Sequence, residues 1–239
     1  VAALLALSLT PSPAHAQEVA CAVPARVEAP APDTDLTRLR RFATGEGVRV
    51  AVIDTGVAPH PDIAHLRPGR DFVADDALQD CDNHGTAVAG IIAGRTLGIA
   101  PEAEIVSIRQ TSAHTRGQDT DAGNLQTLTE AMHNALDEGA SVLNISVVSC
   151  LEPEFASRID ASGITAALER AEAQGAVVVA AAGNTGPDCE PGFDVFPARF
   201  PTVLAVAARA DDHRIAEYSL PAELSAPGLV PAALAPGGW

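Results

Sequence analysis

The chain has 239 residues, enough to bury a sizeable core, and one domain is the default expectation. With 47% hydrophobic and 19% charged residues its composition is globular, not disordered. All 15 basic residues are Arg and the net charge is −16, so there is no basic footprint for nucleic acid and docking on an anionic membrane is disfavoured; the acidity fits solubility in an exported protein.

Residues 1–9 form a short apolar run, followed by Pro11, Ser12, Pro13 and Ala14-His15-Ala16. This matches the apolar region and small-x-small site of a secretory signal peptide, with cleavage expected after Ala16. The run is too short to span a bilayer, and a buried helix end is the alternative. There is no initiator Met and no basic start, so the chain is expected to begin inside its signal peptide. Cys21, Cys81, Cys150 and Cys189 then lie in an exported context, which favours disulfides. Four cysteines allow three pairings, and spacing does not choose among them. They lie too far apart for a metal site built on close pairs.

Residues 17–47 read as an extended arm with a short helical turn around Leu36–Phe42. From there strand and helix patterns alternate. Val48–Ile53 is a β-branched strand running into Asp54-Thr55-Gly56. Thr86–Ala93 is a small-residue helix, with Asn83 available as its cap and Gly94 as its stop. Glu104–Arg109 is a strand, and Asp121–Glu138 has helical spacing closed by Gly139. Val142–Val148 is a strand, Ile164–Gln174 a helix, and Ala176–Ala182 and Val203–Ala207 are apolar strands. Strands apolar throughout and separated by helices predict a doubly wound α/β fold, its parallel sheet covered on both faces. Active groups collect at the carboxyl ends of such strands. Asp54 and Asn184 fall there and His84 at a helix start, so one shared cleft is expected.

Asp54 follows an apolar strand, where an acid needs hydrogen-bond partners. It is either a turn residue capping Thr55-Gly56 or the carboxylate that orients a histidine. Asp-Thr-Gly also occurs in aspartic proteases, but those are β-rich and need two such carboxylates sharing a proton, and the α/β pattern here is wrong for them. His84 is a surface residue or a general base on a rigid helix start. Gly85 leaves room for close approach, and Gly90 lets the helix pack closely. Asn184 is a turn residue before Thr185-Gly186 or an amide donor to an oxyanion. A nucleotide-binding Gly-x-Gly-x-x-Gly turn is absent after the first strand.

The runs VAVIDTGV, DNHGTAVAGIIAG and VVVAAAGNTG resemble the Asp, His and oxyanion-Asn blocks of the subtilisin-like (S8) serine proteases. Cys81 before the His block, Asn144-Ile145-Ser146 with Cys150, Cys189, and the runs Glu217–Leu220 and Ser225–Gly228 are similar to the mycosins, the subtilisin-like proteases of type VII secretion. The resemblance implies serine endopeptidase activity on a protein or peptide substrate, with Asp54, His84 and Asn184 as catalytic residues and no cofactor. It implies an N-terminal extension tied to the catalytic domain by a disulfide, hence Cys21–Cys81 and Cys150–Cys189. It also implies that Ser146 and Val147, with Ala181, Ala182 and Gly183, bind substrate as added strands. Val148 stands where the family often has Gly. No acidic cluster suggests calcium. The expected layout is signal peptide 1–16, extension 17–47 and peptidase domain 48–239, incomplete at its C-terminus.

No Gly-Thr-Ser-x-Ala-x-Pro block is present. Ser219 and Ser225 lack the Gly-Thr lead, and Ser225 precedes what reads as a turn, Ala226-Pro227-Gly228. Without a nucleophile no acyl-enzyme forms. The serine, and the membrane anchor that mycosins carry, are expected beyond Trp239; an exported protein follows, extracellular or in the cell envelope, and membrane-anchored if mycosin-like. The alternative is a pseudoprotease serving as a binding or scaffold domain of a secretion complex. A sheet lacking its later helices should leave apolar surface exposed.

Overall fold

The computed structural model describes residues 20–31, 34–114 and 122–239. The proposed signal segment, 1–16, lies outside them. The elements in order are α1 Thr34–Leu39, β1 Arg49–Asp54, β2 Leu66–Asp71, α2 His84–Ala93, β3 Glu104–Arg109, α3 Leu125–Asp137, β4 Val142–Ile145 and β5 Ser149–Leu151. They continue as α4 Pro153–Ala156, α5 Ser162–Ala173, β6 Val177–Ala181, β7 Asp194–Phe196, β8 Val203–Asp211, β9 Arg214–Ile215 and β10 Leu224–Pro227.

The main sheet runs β10-β8-β6-β4-β1-β3-β2, every neighbour on this path parallel, with β9 added antiparallel to β8. β5 and β7 form a separate antiparallel pair. This is the doubly wound α/β architecture that the alternating apolar strands predict. Alternation along β1 feeds two cores. Ala51 and Ile53 pack with α3 and α5 residues such as Met132, Ala135 and Ile164. Val50 and Val52 pack against Ala89 and Ala93 of α2 and against Leu234. Gly90 makes the Leu234 contact possible, since a Cβ there would stand 2.7 Å from Leu234 Cγ.

The structure departs from the sequence expectations at several places. The strand expected over Val142–Val148 ends at Ile145, and the chain re-forms as β5 against β7. Ala226 and Pro227, read as part of a turn after Ser225, instead continue the exposed strand β10, in which Ser225 pairs with Ala207 of β8. Asn83 does not cap α2 with its side chain; its backbone is left-handed, with φ 64, and its amide donates to Ala22 carbonyl oxygen at 3.1 Å. The helix expected from Asp121 begins at Leu125, because Asn124 and Thr127 close a capping box there; residues 115–121 lie outside the description.

The arm residues 20–31 and Arg40, the residue after α1, hold the segments that flank α2. At its start Cys21 is bonded to Cys81, and Ala22 N–H donates to Cys81 carbonyl oxygen at 2.8 Å. At its end Arg40 donates to the carbonyl oxygens of Gly98 at 3.0 Å and Arg95 at 2.8 Å, holding the turn that follows the helix.

Candidate active site

Parallel register brings the sequence-predicted residues to one edge. Ile53, Ile145 and Ala180 are lateral partners across β1, β4 and β6, so Asp54, Ser146 and Ala181 follow side by side at the carboxyl ends. Asn184 lies three residues beyond β6, itself two strands from β1, a separation of roughly 10 Å.

Asp54 is fully buried at the end of β1. Its carbonyl oxygen accepts from Gln110 N–H at 2.8 Å, which anchors this turn to the chain after β3. Its Oδ1 accepts from Thr55 N–H and lies 2.7 Å from His84 Nδ1. A carboxylate only accepts, so the Nδ1 proton points at Asp54 and Nε2 keeps its lone pair. Asp54 Oδ2 is buried and has no partner among the described residues. That favours an imidazolium beside it, because a buried, under-solvated carboxylate attracts a cation strongly. His84, first residue of α2, is 52% exposed on its side chain, and Nε2 bonds to none of the described residues. The hydrogen bond and charge of Asp54, with the more distant charges of Asp80 and Asp82, hold the His84 pKa above the usual 6.5, against an opposing push from burial.

Two glycines let the loops meet. Gly56 has φ +104, and a Cβ there would stand 2.0 Å from Gln79 carbonyl oxygen. A Cβ on Gly85 would stand 2.0 Å from Gly56 carbonyl oxygen and 3.2 Å from Asp54 Cβ. Gly85 was legible as a point of close approach; Gly56 was not singled out.

Asn184 is exposed, and its amide side chain bonds to none of the described residues. Its loop is pinned from behind: Leu220 N–H donates to Gly183 carbonyl oxygen at 2.9 Å and Thr185 N–H to Tyr218 carbonyl oxygen at 2.8 Å. Ser146 and Val147 sit between β4 and β5, outside both sheets, and Ser146 follows the Ile145–Ala180 pair, next to Ala181 at the end of β6. A cavity of about 150 Å³ lies beside them, lined among others by Gln110, Asn124, Val147 and Val148. Cys150 is bonded to Cys189, tying the chain after Val148 to the loop after Asn184. Val148 and Cys150 pack on Cys189, Val195 and Leu220. The two sulfur bridges are the pairs that the resemblance implies.

Neither downstream serine is placed as a nucleophile. Ser219 is buried, its hydroxyl accepting from Ala208 N–H and donating to Leu220 carbonyl oxygen. Ser225 is in β10, beyond β8 and β6 from β4. Sequence reasoning also passed over Asp80, a buried acid four residues before His84.

A doubly wound sheet with a buried aspartate bonded to a helix-start histidine at its carboxyl edge is the subtilisin-like arrangement. The chain belongs to the subtilase family (peptidase S8), which it matches over residues 45–238. Mycosin-4 of Mycobacterium tuberculosis is 38% identical over 240 residues, covering 91% of this chain and 52% of Mycosin-4. The structure of the serine protease MycP1, an essential component of the type VII (ESX-1) secretion system, superposes with a TM-score of 0.76 at 35% identity, over 89% of this chain and 70% of MycP1. A chain of an intact ESX-5 inner membrane complex gives a TM-score of 0.64 at 35% identity, over 73% and 51%. The chain thus spans about half the length of Mycosin-4, and 37% of Mycosin-1 of Mycolicibacterium smegmatis.

Proposed function

We propose that these residues form the acid–base half of a serine endopeptidase associated with type VII secretion, in a protein that also contains a nucleophilic serine. The single observation that carries this reading is the 2.7 Å contact between His84 Nδ1 and buried Asp54, with Nε2 left open. His84 Nε2 takes the serine proton and returns it to the leaving amine, while Asp54 fixes the tautomer and stabilises the imidazolium. Asn184, its amide uncommitted, donates to the oxyanion. A protein or peptide substrate adds as a strand between Ser146–Val147 and Ala181–Gly183. The layout is signal peptide 1–16, extension 17–47 and peptidase domain from 48. Association with the secretion machinery and a place in the cell envelope, with any anchor beyond residue 239, rest on the likeness to MycP1 and to the ESX-5 complex. No helix among the described residues is long and apolar enough to cross a membrane.

A second reading, a substrate-binding scaffold without catalysis, is favoured by one observation: the Ser219 hydroxyl is committed to Ala208 and Leu220. A fluorophosphonate probe separates the two. The product of the whole gene should label at one serine outside residues 1–239, and His84→Ala should abolish labelling. A whole-gene product that never labels leaves the scaffold. Stoichiometric labelling of the 239-residue chain at Ser219 or Ser225 would overturn these roles.

A further inference from the structure

We propose that Asp80 is a positioning residue, which latches the turn carrying Asp54 to the helix start carrying His84 through the hydroxyls of Thr55 and Thr86. The inference deepens the acid–base reading of Asp54 and His84 and rests on it.

The first turn of a helix leaves backbone N–H groups without partners inside the helix. In α2 the residue before His84 does not satisfy them with its side chain, since Asn83 is turned toward Ala22. Two groups from elsewhere take its place. Thr86 N–H donates to Asp80 Oδ2 at 2.8 Å, and Gly85 N–H donates to Thr55 Oγ1 at 3.0 Å. Both acceptors converge on one carboxylate. Thr55 Oγ1 donates to Asp80 Oδ1 at 2.8 Å, and Thr86 Oγ1 donates to Asp80 Oδ2 at 2.6 Å. Asp82 N–H adds a longer contact to Oδ1 at 3.2 Å. Thr86 Oγ1 in turn accepts from Ala58 N–H at 3.0 Å, which brings in the far side of the Asp54 turn.

Thr55 is the residue after Asp54, and Thr86 is the second residue after His84. The latch therefore closes immediately beside both members of the pair. Asp80 is only 6% exposed and has no salt bridge to any described residue. A buried carboxylate without a counter-cation is expensive to keep. It is tolerated here because four donors and the positive end of α2 face it. A plain turn-and-cap role needs one oxygen and one backbone N–H. Asp80 instead uses both oxygens to join two segments 30 residues apart, which a cap alone does not require. Hydrogen bonds to a charged acceptor are the strong class, so the junction is stiff. Stiffness matters because a misplacement of about 1 Å in a catalytic group can cost about 10²-fold in rate.

The test is proton and nitrogen NMR of the 239-residue chain with labelled histidine, following the His84 Nδ1 proton and the His84 titration. The charges acting on His84 are those of Asp54, Asp80 and Asp82. Thr55→Val removes the latch hydroxyl and changes no charge. It should speed exchange of the Nδ1 proton about tenfold, the effect of losing roughly one net hydrogen bond, and lower the His84 titration midpoint. Thr55→Ser keeps the hydroxyl and should restore the parent values. Asp80→Asn should lower the midpoint further, because it removes the latch and a charge together. Circular dichroism melts check that each variant is folded; if Asp80→Asn does not fold, the Thr55 pair decides. A parent-like Nδ1 proton and titration in folded Thr55→Val overturn the latch. If Asp80→Asn alone then lowers the midpoint, Asp80 acts by charge through space; if neither variant changes His84, Asp80 is only a cap. None of these readouts needs peptidase activity, so a failure of the probe labelling above is distinguishable from a failure of the latch.

Discussion

At the scale of single residues, the proposed chemistry turns on His84 having one committed and one open nitrogen. Asp54 and its neighbouring acids raise the pKa of His84 above the usual 6.5. Two expectations follow, with signs fixed by that direction. In the protein that carries the nucleophile, kcat/KM should climb with pH through a midpoint above 6.5, because only neutral His84 can accept the proton. Asp54→Asn should move that midpoint down and reduce kcat by about 10⁴-fold. The fold responds oppositely. Protonated His84 stabilises the native chain below its unfolded pKa, and that contribution is lost as pH rises through the higher folded value. The melting-temperature gap between the chain and His84→Ala should therefore narrow as pH rises. The pairing of Asp54 with His84 was legible because one ends a recognisable strand and the other opens a helix. Asp80 was not: in Asp80-Cys81-Asp82-Asn83 it reads as one more solvated acid. Only the fold shows that it is buried against Thr55, 25 positions away in sequence.

At the scale of elements, α2 is the part whose placement decides the site. Gly85→Ala should destabilise by about 2–3 kcal/mol, the usual range for a forced overlap in a packed region, because its Cβ would meet backbone and not a flexible side-chain end. Urea unfolding reads this directly, and the same variant should lose the downfield Nδ1 proton of His84. At the other end of the helix, Arg40→Ala removes a guanidinium that spans the carbonyl oxygens of Gly98 and Arg95. A cost of about 2–3 kcal/mol is expected for charge-assisted bonds of this kind, again by urea unfolding. The apolar strands β1, β3, β6 and β8 were readable from their composition. β2 was missed because its sequence, LRPGRD, looks like a turn. It is an edge strand with an irregular register between Pro68 and Asp71, a position where proline is tolerated. β4 was read too long because Val147 and Val148 continue its β-branched pattern, while pairing with β7 redirects the chain at Ser149.

At the scale of the whole molecule, the two faces of the sheet are not equally covered. α3 and α5 close one face. On the other, α2 covers β1 and β3 but not the β6-β8-β10 side. Val177, Leu204 and Leu224 share that face by register, and are 43%, 44% and 47% exposed. An apolar strip of this kind should bind the dye ANS in the folded 239-residue chain; Leu204→Ser should reduce the signal without unfolding the protein. The two sulfur bridges act on a similar scale. Replacing Cys150 and Cys189 by serine should cost about 2–4 kcal/mol and loosen the walls of the proposed groove, visible as new protease cuts near residues 147–149. The arm has a further consequence. Val27 N–H donates to the carbonyl oxygen of Trp239 at 3.1 Å, and the Trp239 ring stands edge-on to His60 at 6.3 Å. Trp239 is the single tryptophan of the chain. The molecule thus carries its own fluorophore at the seam between its first and last described segments. Undocking of the arm after reduction of Cys21–Cys81 can be followed as an intrinsic emission change, with no label attached.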